Sequence, residues 1–166
     1  MKGEEMQITF HGVPIASIQP LTEGKAPDFE LMNQYGEKIK LSSIKGTVIL
    51  SIFPSIITSN CSQQTLHFNK KAGQYPEITI LAISNDVATV QQNWCSTNQV
   101  KISMLSDAHN HFGSAYRLNI HGEPLDNRLA RSVYVIKNQR IVYAQIMSEI
   151  TEVPDYEAVM QAALGN

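Results

Sequence analysis

The chain has 166 residues, 43% hydrophobic and 17% charged, a balance that excludes a disordered polypeptide and suits one globular domain over residues 1–166. Its formal charge of -2, from 13 Lys and Arg against 15 Asp and Glu, offers no basic field for nucleic acid or anionic lipid, and no apolar run approaches the roughly 20 residues that span a bilayer. The opening Met1-Lys2-Gly3-Glu4-Glu5 lacks the layout of a secretory leader or a mitochondrial presequence, so a cytoplasmic location is expected.

In chain order, Met6, Ile8 and Phe10 alternate with polar neighbours, turn at His11-Gly12-Val13-Pro14 and resume at Ile15, which predicts an N-terminal β-hairpin. Asp28 to Leu41, turning near Gly36-Glu37, predicts a second hairpin. Residues 47–53 and 78–83 are β-branched and almost continuously apolar, as in central strands covered on both faces. Between them, Leu66, Phe68 and Ala72 mark a helix from about Cys61 to Ala72. A second helix opens at Asp86 and places Val87, Val90 and Trp94 at helical spacing. Asp107 to Leu118 is a third candidate. Ser132–Lys137 and Arg140–Met147, joined at Asn138-Gln139, predict an antiparallel strand pair; a last helix starts with Pro154 at its first position. The alternation predicts an α/β fold of thioredoxin-like outline, a central mixed sheet flanked by helices, with no repeat or linker dividing it.

Two cysteines exclude a disulfide framework, and in a reducing compartment a bond between them is more often catalytic than structural. Cys61 follows an apolar strand, a loop begun by Pro54 and a cluster of possible helix caps, Thr58, Ser59 and Asn60. A sulfur at a helix N-terminus meets unpaired N–H groups and the positive end of the dipole, which favour negative charge on it. The bland reading is that Cys61 is a small buried hydrophobe, and Cys95 another packed behind Trp94. Arg131, at a strand start, reads by itself as a surface charge.

The run Phe53-Pro54-Ser55-Ile56-Ile57-Thr58-Ser59-Asn60-Cys61 resembles the peroxiredoxin active-site motif in the spacing of Pro54, Thr58 and Cys61. Over nearly the whole chain the resemblance is to the bacterial thiol peroxidase branch, the atypical two-cysteine peroxiredoxins. It is carried by Phe10-His11-Gly12-Val13-Pro14, Ala26-Pro27-Asp28-Phe29, Ile83-Ser84-Asn85-Asp86, Trp94-Cys95, Leu129-Ala130-Arg131 and Pro154-Asp155-Tyr156-Glu157-Ala158. The resemblance implies that Cys61 attacks the peroxide, Thr58 hydrogen-bonds beside it, Pro54 shields the pocket and Arg131 holds the thiolate and the departing oxygen. It implies that Cys95 resolves the resulting sulfenic acid as an intramolecular Cys61–Cys95 disulfide. Bonded cysteines need Cα atoms about 4.4 to 6.8 Å apart, so the first turn carrying Cys61 and the stretch from Trp94 to Asn98 are expected to rearrange between redox states. It further implies hydrogen peroxide and organic hydroperoxides as substrates, thioredoxin or a similar dithiol as reductant, and a homodimer.

Several positions depart from the branch. Ile57 replaces an acidic residue, Asn60 an apolar one, Val87-Ala88-Thr89-Val90 lacks a usual proline, and His121 to Arg128 is unusually polar. Two other classes remain open: a cysteine hydrolase using Cys61 with a distant histidine, and a non-catalytic redox-sensing module on the same scaffold. None of the five histidines pairs with a cysteine at zinc-like spacing, and glycine-rich phosphate loops are absent, so no metal or cofactor is expected.

Overall fold

The structure, a computed structural model, describes residues 4–165. Met6–Phe10 (β1) and Val13–Ile18 (β2) form the antiparallel N-terminal hairpin. Its turn is confined to His11 and Gly12, both at positive φ, so Val13 and Pro14 already belong to the returning strand. Gly24–Lys25 (β3), Glu30–Met32 (β4) and Lys38–Lys40 (β5) follow, then a short 3-10 turn at Leu41–Ser43. The remaining elements are Val48–Ile52 (β6), Ser59–Gln74 (α1), Thr79–Ser84 (β7), Ala88–Asn98 (α2), Ser103–Ser106 (β8), His111–Tyr116 (α3), Ser132–Lys137 (β9), Arg140–Ile146 (β10) and Tyr156–Leu164 (α4).

β3 to β10 make one mixed sheet in the order β3-β10-β9-β6-β7-β8-β4-β5. β6, β7 and β8 run parallel, and β9 pairs antiparallel with β6. The β9–β10 hairpin turns through Asn138 and Gln139, both left-handed at φ 52° and 60°, the primed turn whose twist matches the strands it joins. The expected thioredoxin-like α/β architecture is therefore present.

Strand side chains alternate between two apolar layers, as the period of two requires. Leu50 and Ile52 of β6 and Tyr134 and Ile136 of β9 face one layer, closed by Phe112 and Tyr116 of α3 and by Ile8 of the hairpin. Ile49 of β6 and Val133 and Val135 of β9 face the other, closed by α1, α2 and α4 through Phe68, Cys95, Val159 and Met160. Phe68 is fully buried, and burial of such a ring contributes about 1.5–3 kcal/mol towards holding α1 on the sheet. Both cysteine-bearing helices thus lie on the same face.

All four helix starts differ from expectation, three of them where an acidic side chain is used differently. α1 begins at Ser59, before Cys61, with Thr58 at its N-cap. α2 begins at Ala88 because the Asp86 carboxylate turns away from the helix to accept from Ser55 Oγ and the Ile56 N–H, leaving Val87 as N-cap. α3 shrinks to six residues: Asp107 reaches forward to accept from the N–H groups of Phe112 and Gly113, while Asn110 is left-handed ahead of the helix. Pro154 lies just outside α4, whose N-cap is Asp155, its carboxylate accepting from the Ala158 N–H. Among the described residues no helix is long and apolar enough to cross a membrane.

Candidate active site

The chain leaves β6 at Phe53 and passes through buried Pro54, Ser55 and Ile56, then exposed Ile57 and the N-cap Thr58, before α1 begins at Ser59. Cys61 is the third residue of that helix, so its own N–H and those of Ser59 and Asn60 precede the first helical bond, which Ser62 N–H makes to Thr58 O at 3.0 Å. Thr58 holds the N-cap position without capping: its hydroxyl donates to Ser55 O at 3.1 Å, tightening the loop instead. Asn60 reaches sideways, donating to Thr151 O at 2.6 Å, which ties the helix start to the loop after β10. That bond gives the polar residue at this position a physical reason.

Arg131 immediately precedes β9 and is only 2% exposed. Its guanidinium donates through Nη2 to Cys61 Sγ at 3.2 Å, through Nη1 to Gln64 Oε1 at 2.8 Å and through Nε to Ile150 O at 2.9 Å. Gln64 is fixed in turn by donating to Ser51 Oγ at 2.8 Å. Two neutral oxygens therefore aim the planar fork, and the sulfur is the third acceptor on a buried cation. Positive charge at hydrogen-bond distance in a low-dielectric setting stabilises negative charge on that sulfur far more than the same pair in water.

Above this pair lies a pocket of about 260 Å³, lined by Pro54, Thr58 and Arg131 together with Phe10, Leu125 and Ile150. Cys61 itself has no exposed surface and sits with Phe53 and Ile56 in the apolar layer beneath α1. The open sulfur that direct attack on a peroxide requires is thus not present in this conformation, whereas the expected pairing with Arg131 is. Larger hollows of about 570, 470, 370 and 300 Å³ lie elsewhere, the last lined by Cys95, but none is lined by Arg131; chemistry rather than size selects the smaller one.

Cys95 lies on α2, 5% exposed, and is also a free thiol. Its sulfur contacts Met104 Sδ at 3.9 Å, and burial pushes the thiol up to about 11. In this state it has the surroundings of a core residue. Neighbouring Trp94 turns the other way: its indole Nε1 donates to Ser62 Oγ at 3.1 Å, and Ser62 donates to Ile56 O at 2.9 Å. The two cysteine helices are therefore joined by side-chain bonds although their sulfurs have different partners.

Of the five residues singled out in the sequence, Pro54, Thr58, Cys61 and Arg131 come together here and Cys95 stands apart in the same layer. Sequence reasoning missed Gln64 and the Ile150 carbonyl. The first carries a signal, a polar residue one helical turn after Cys61 on its face; the second, a backbone group, carries none. A cysteine hydrolase would need an imidazole against the sulfur, but His11, the histidine lining the pocket, stacks on Phe10 at 4.5 Å. Among the described residues no cluster of three or more His, Cys, Asp or Glu side chains could hold a metal ion.

Residues 22–145 match the model of the AhpC/TSA family. The thiol peroxidase of Bacillus subtilis is 38% identical over 163 residues, covering 95% of this chain and 96% of that one. The thiol peroxidase of Oceanobacillus iheyensis is 36% identical over 159 residues, covering 92% and 95%. Among solved structures, a peroxiredoxin-like protein from Aquifex aeolicus superposes with a TM-score of 0.87 at 21% identity, over 95% of each chain.

Proposed function

The chain belongs to the AhpC/TSA family and is a peroxidase of its bacterial thiol peroxidase branch, and on that premise we propose that Cys61 is the group that reacts with hydroperoxide. The observation that carries this reading is the Arg131 Nη2 to Cys61 Sγ hydrogen bond of 3.2 Å at the foot of a pocket walled by Pro54 and Thr58.

The thiolate sulfur attacks the terminal peroxide oxygen; an S–O bond forms, the O–O bond breaks, and the departing alkoxide or hydroxide takes a proton to leave as alcohol or water. Arg131 faces both the sulfur and the cavity, so its fork also meets charge that develops on the departing oxygen, where a preorganised donor is worth most. Thr58 Oγ1, on the pocket wall, is free to trade its bond to Ser55 O for one to the peroxide. Pro54 offers no N–H and keeps the wall apolar beside the sulfur.

Cys95 then displaces water from the Cys61 sulfenic acid, forming the Cys61–Cys95 disulfide, and an external dithiol such as thioredoxin restores both thiols. With the sulfurs now on Arg131 and Met104, each must leave its present partner first. The same reading carries one domain over residues 1–166, working in the cytoplasm as a homodimer on hydrogen peroxide and organic hydroperoxides. Counting free thiols before and after one equivalent of peroxide tests it. Loss of both thiols in a monomer-sized species is expected, and survival of both would remove the proposal.

A further inference from the structure

The three residues that lead into α1 are held by side chains from two distant segments. Asp86, buried between β7 and α2, accepts from Ser55 Oγ and from the Ile56 N–H, both at 2.7 Å, and from Ser84 Oγ at 2.8 Å. Arg128 comes from the polar segment that departs from the family pattern. Its Nη1 lies 3.4 Å from Asp86 Oδ1 and donates to Pro54 O at 3.3 Å. Ile56 is thereby held at both ends of its residue: its N–H goes to Asp86 at the foot of α2, and its carbonyl accepts from Ser62, itself the acceptor for Trp94 of α2. The bonds to Pro54, Ser55 and Ile56 are made in the conformation that buries Cys61.

We propose that the Arg128–Asp86 pair is a clasp that keeps the Pro54–Ile56 loop closed over Cys61 and so sets how fast the oxidised sulfur leaves Arg131 to meet Cys95. The clasp rests on the disulfide scheme proposed above and adds a residue to it. While Cys61 sulfenic acid stays in the pocket, a second hydroperoxide competes with Cys95. It transfers one further oxygen to the sulfur, its O–O bond breaks, alcohol or water leaves, and the product is the sulfinic acid that dithiols do not reverse. Loop opening therefore decides between recycling and inactivation. Arg128 is the adjustable half of the clasp, since its side chain is 40% exposed while Asp86 keeps three other donors without it. A pair whose cation is 40% exposed, at 3.4 Å, changes an opening equilibrium only modestly, which suits a catch that must release in every cycle. Arg128 and Asp86 are positioning residues; neither lines the pocket.

The test mixes hydrogen peroxide rapidly with wild type, Arg128→Leu and Arg128→Lys. The fluorescence of Trp94, the sole tryptophan, reports the disulfide step, and mass spectrometry reports the sulfinic acid formed at excess peroxide. Disulfide formation about threefold to fivefold faster in Arg128→Leu is expected, with a correspondingly smaller sulfinic fraction and a first oxidation within about twofold of wild type. Arg128→Lys, which keeps the cation, should return both values towards wild type. A merely structural role predicts a slower first oxidation and an unchanged partition. An unchanged disulfide rate in folded Arg128→Leu overturns the clasp alone. A wild-type protein that oxidises Cys61 yet forms no disulfide overturns the underlying scheme and the clasp with it.

Discussion

Cys61 and Cys95 belong to the same apolar layer, on neighbouring helices covering one face of the sheet, and both are buried, at 0% and 5% exposure. What separates them is the atoms they touch. A guanidinium N–H points at the Cys61 sulfur from 3.2 Å, whereas Cys95 faces the Met104 thioether and its thiol is pushed up to about 11 by burial. Burial alone keeps a thiol such as Cys95 protonated, whereas Cys61 has a buried cation aimed at its sulfur. The fold thus gives two identical side chains different surroundings by placing one arginine, with Gln64 and the Ile150 carbonyl serving to aim it.

The most severe way to break this contrast is to remove the quieter cysteine. Cys95→Ser should lower turnover coupled to a dithiol reductant by at least about a hundredfold, with a first oxidation of Cys61 intact, as read by reductant consumption against single-turnover peroxide loss. Removing the cation comes next. Arg131→Met keeps the length and loses the donors, and kcat/KM for hydroperoxide should fall by about a hundredfold to a thousandfold, the scale of a lost preorganised donor to a developing negative charge. The same variant leaves Gln64 Oε1 and Ile150 O short of a donor, so a fall in Tm is expected beside the kinetic one.

A smaller effect sharpens the contrast from the Cys95 side. Its folded-state value, about 11, lies above the unfolded 9.0, so the folded chain holds this proton more tightly. The stability this contributes is fully present below pH 9 and is lost as the pH rises towards 11, by about 2 kcal/mol. Denaturant unfolding of wild type should therefore weaken more steeply across that window than unfolding of Cys95→Ser. Equal slopes would mean that Cys95 is not buried as its contact with Met104 requires.

Much of this architecture is written in local patterns. The β-branched runs of β6 and β7 and the left-handed pair Asn138-Gln139 declare themselves, because burial on both faces and a primed turn each restrict residue type. β8 does not: only Met104 and Leu105 of Ser103–Ser106 are apolar and buried, and the strand exists because it can pair in parallel with β7. β3 is two residues held by β10, too short for any period. Helix starts were misjudged where acidic side chains serve distant backbone, as Asp86 does for Ile56.

At the site, family resemblance points to the candidate residues more than their chemistry does. By itself Arg131 looks like a surface charge, and only the tertiary contact with Cys61, Gln64 and Ile150 explains its burial. The closed state of the sulfur was not legible at all. It depends on long-range bonds to Pro54, Ser55 and Ile56 from residues 30 or more positions away, which leave no local pattern.

The cation-facing sulfur is tested most directly by exposing Cys95→Ser to one equivalent of hydroperoxide, trapping sulfenic acid with a carbon nucleophile and locating the adduct by peptide mass. One adduct per chain, at Cys61, is expected, and its formation should slow sharply once Arg131→Met is added. A Cys61 that stays a free thiol under the same treatment, or an adduct rate indifferent to Arg131, would contradict the assignment.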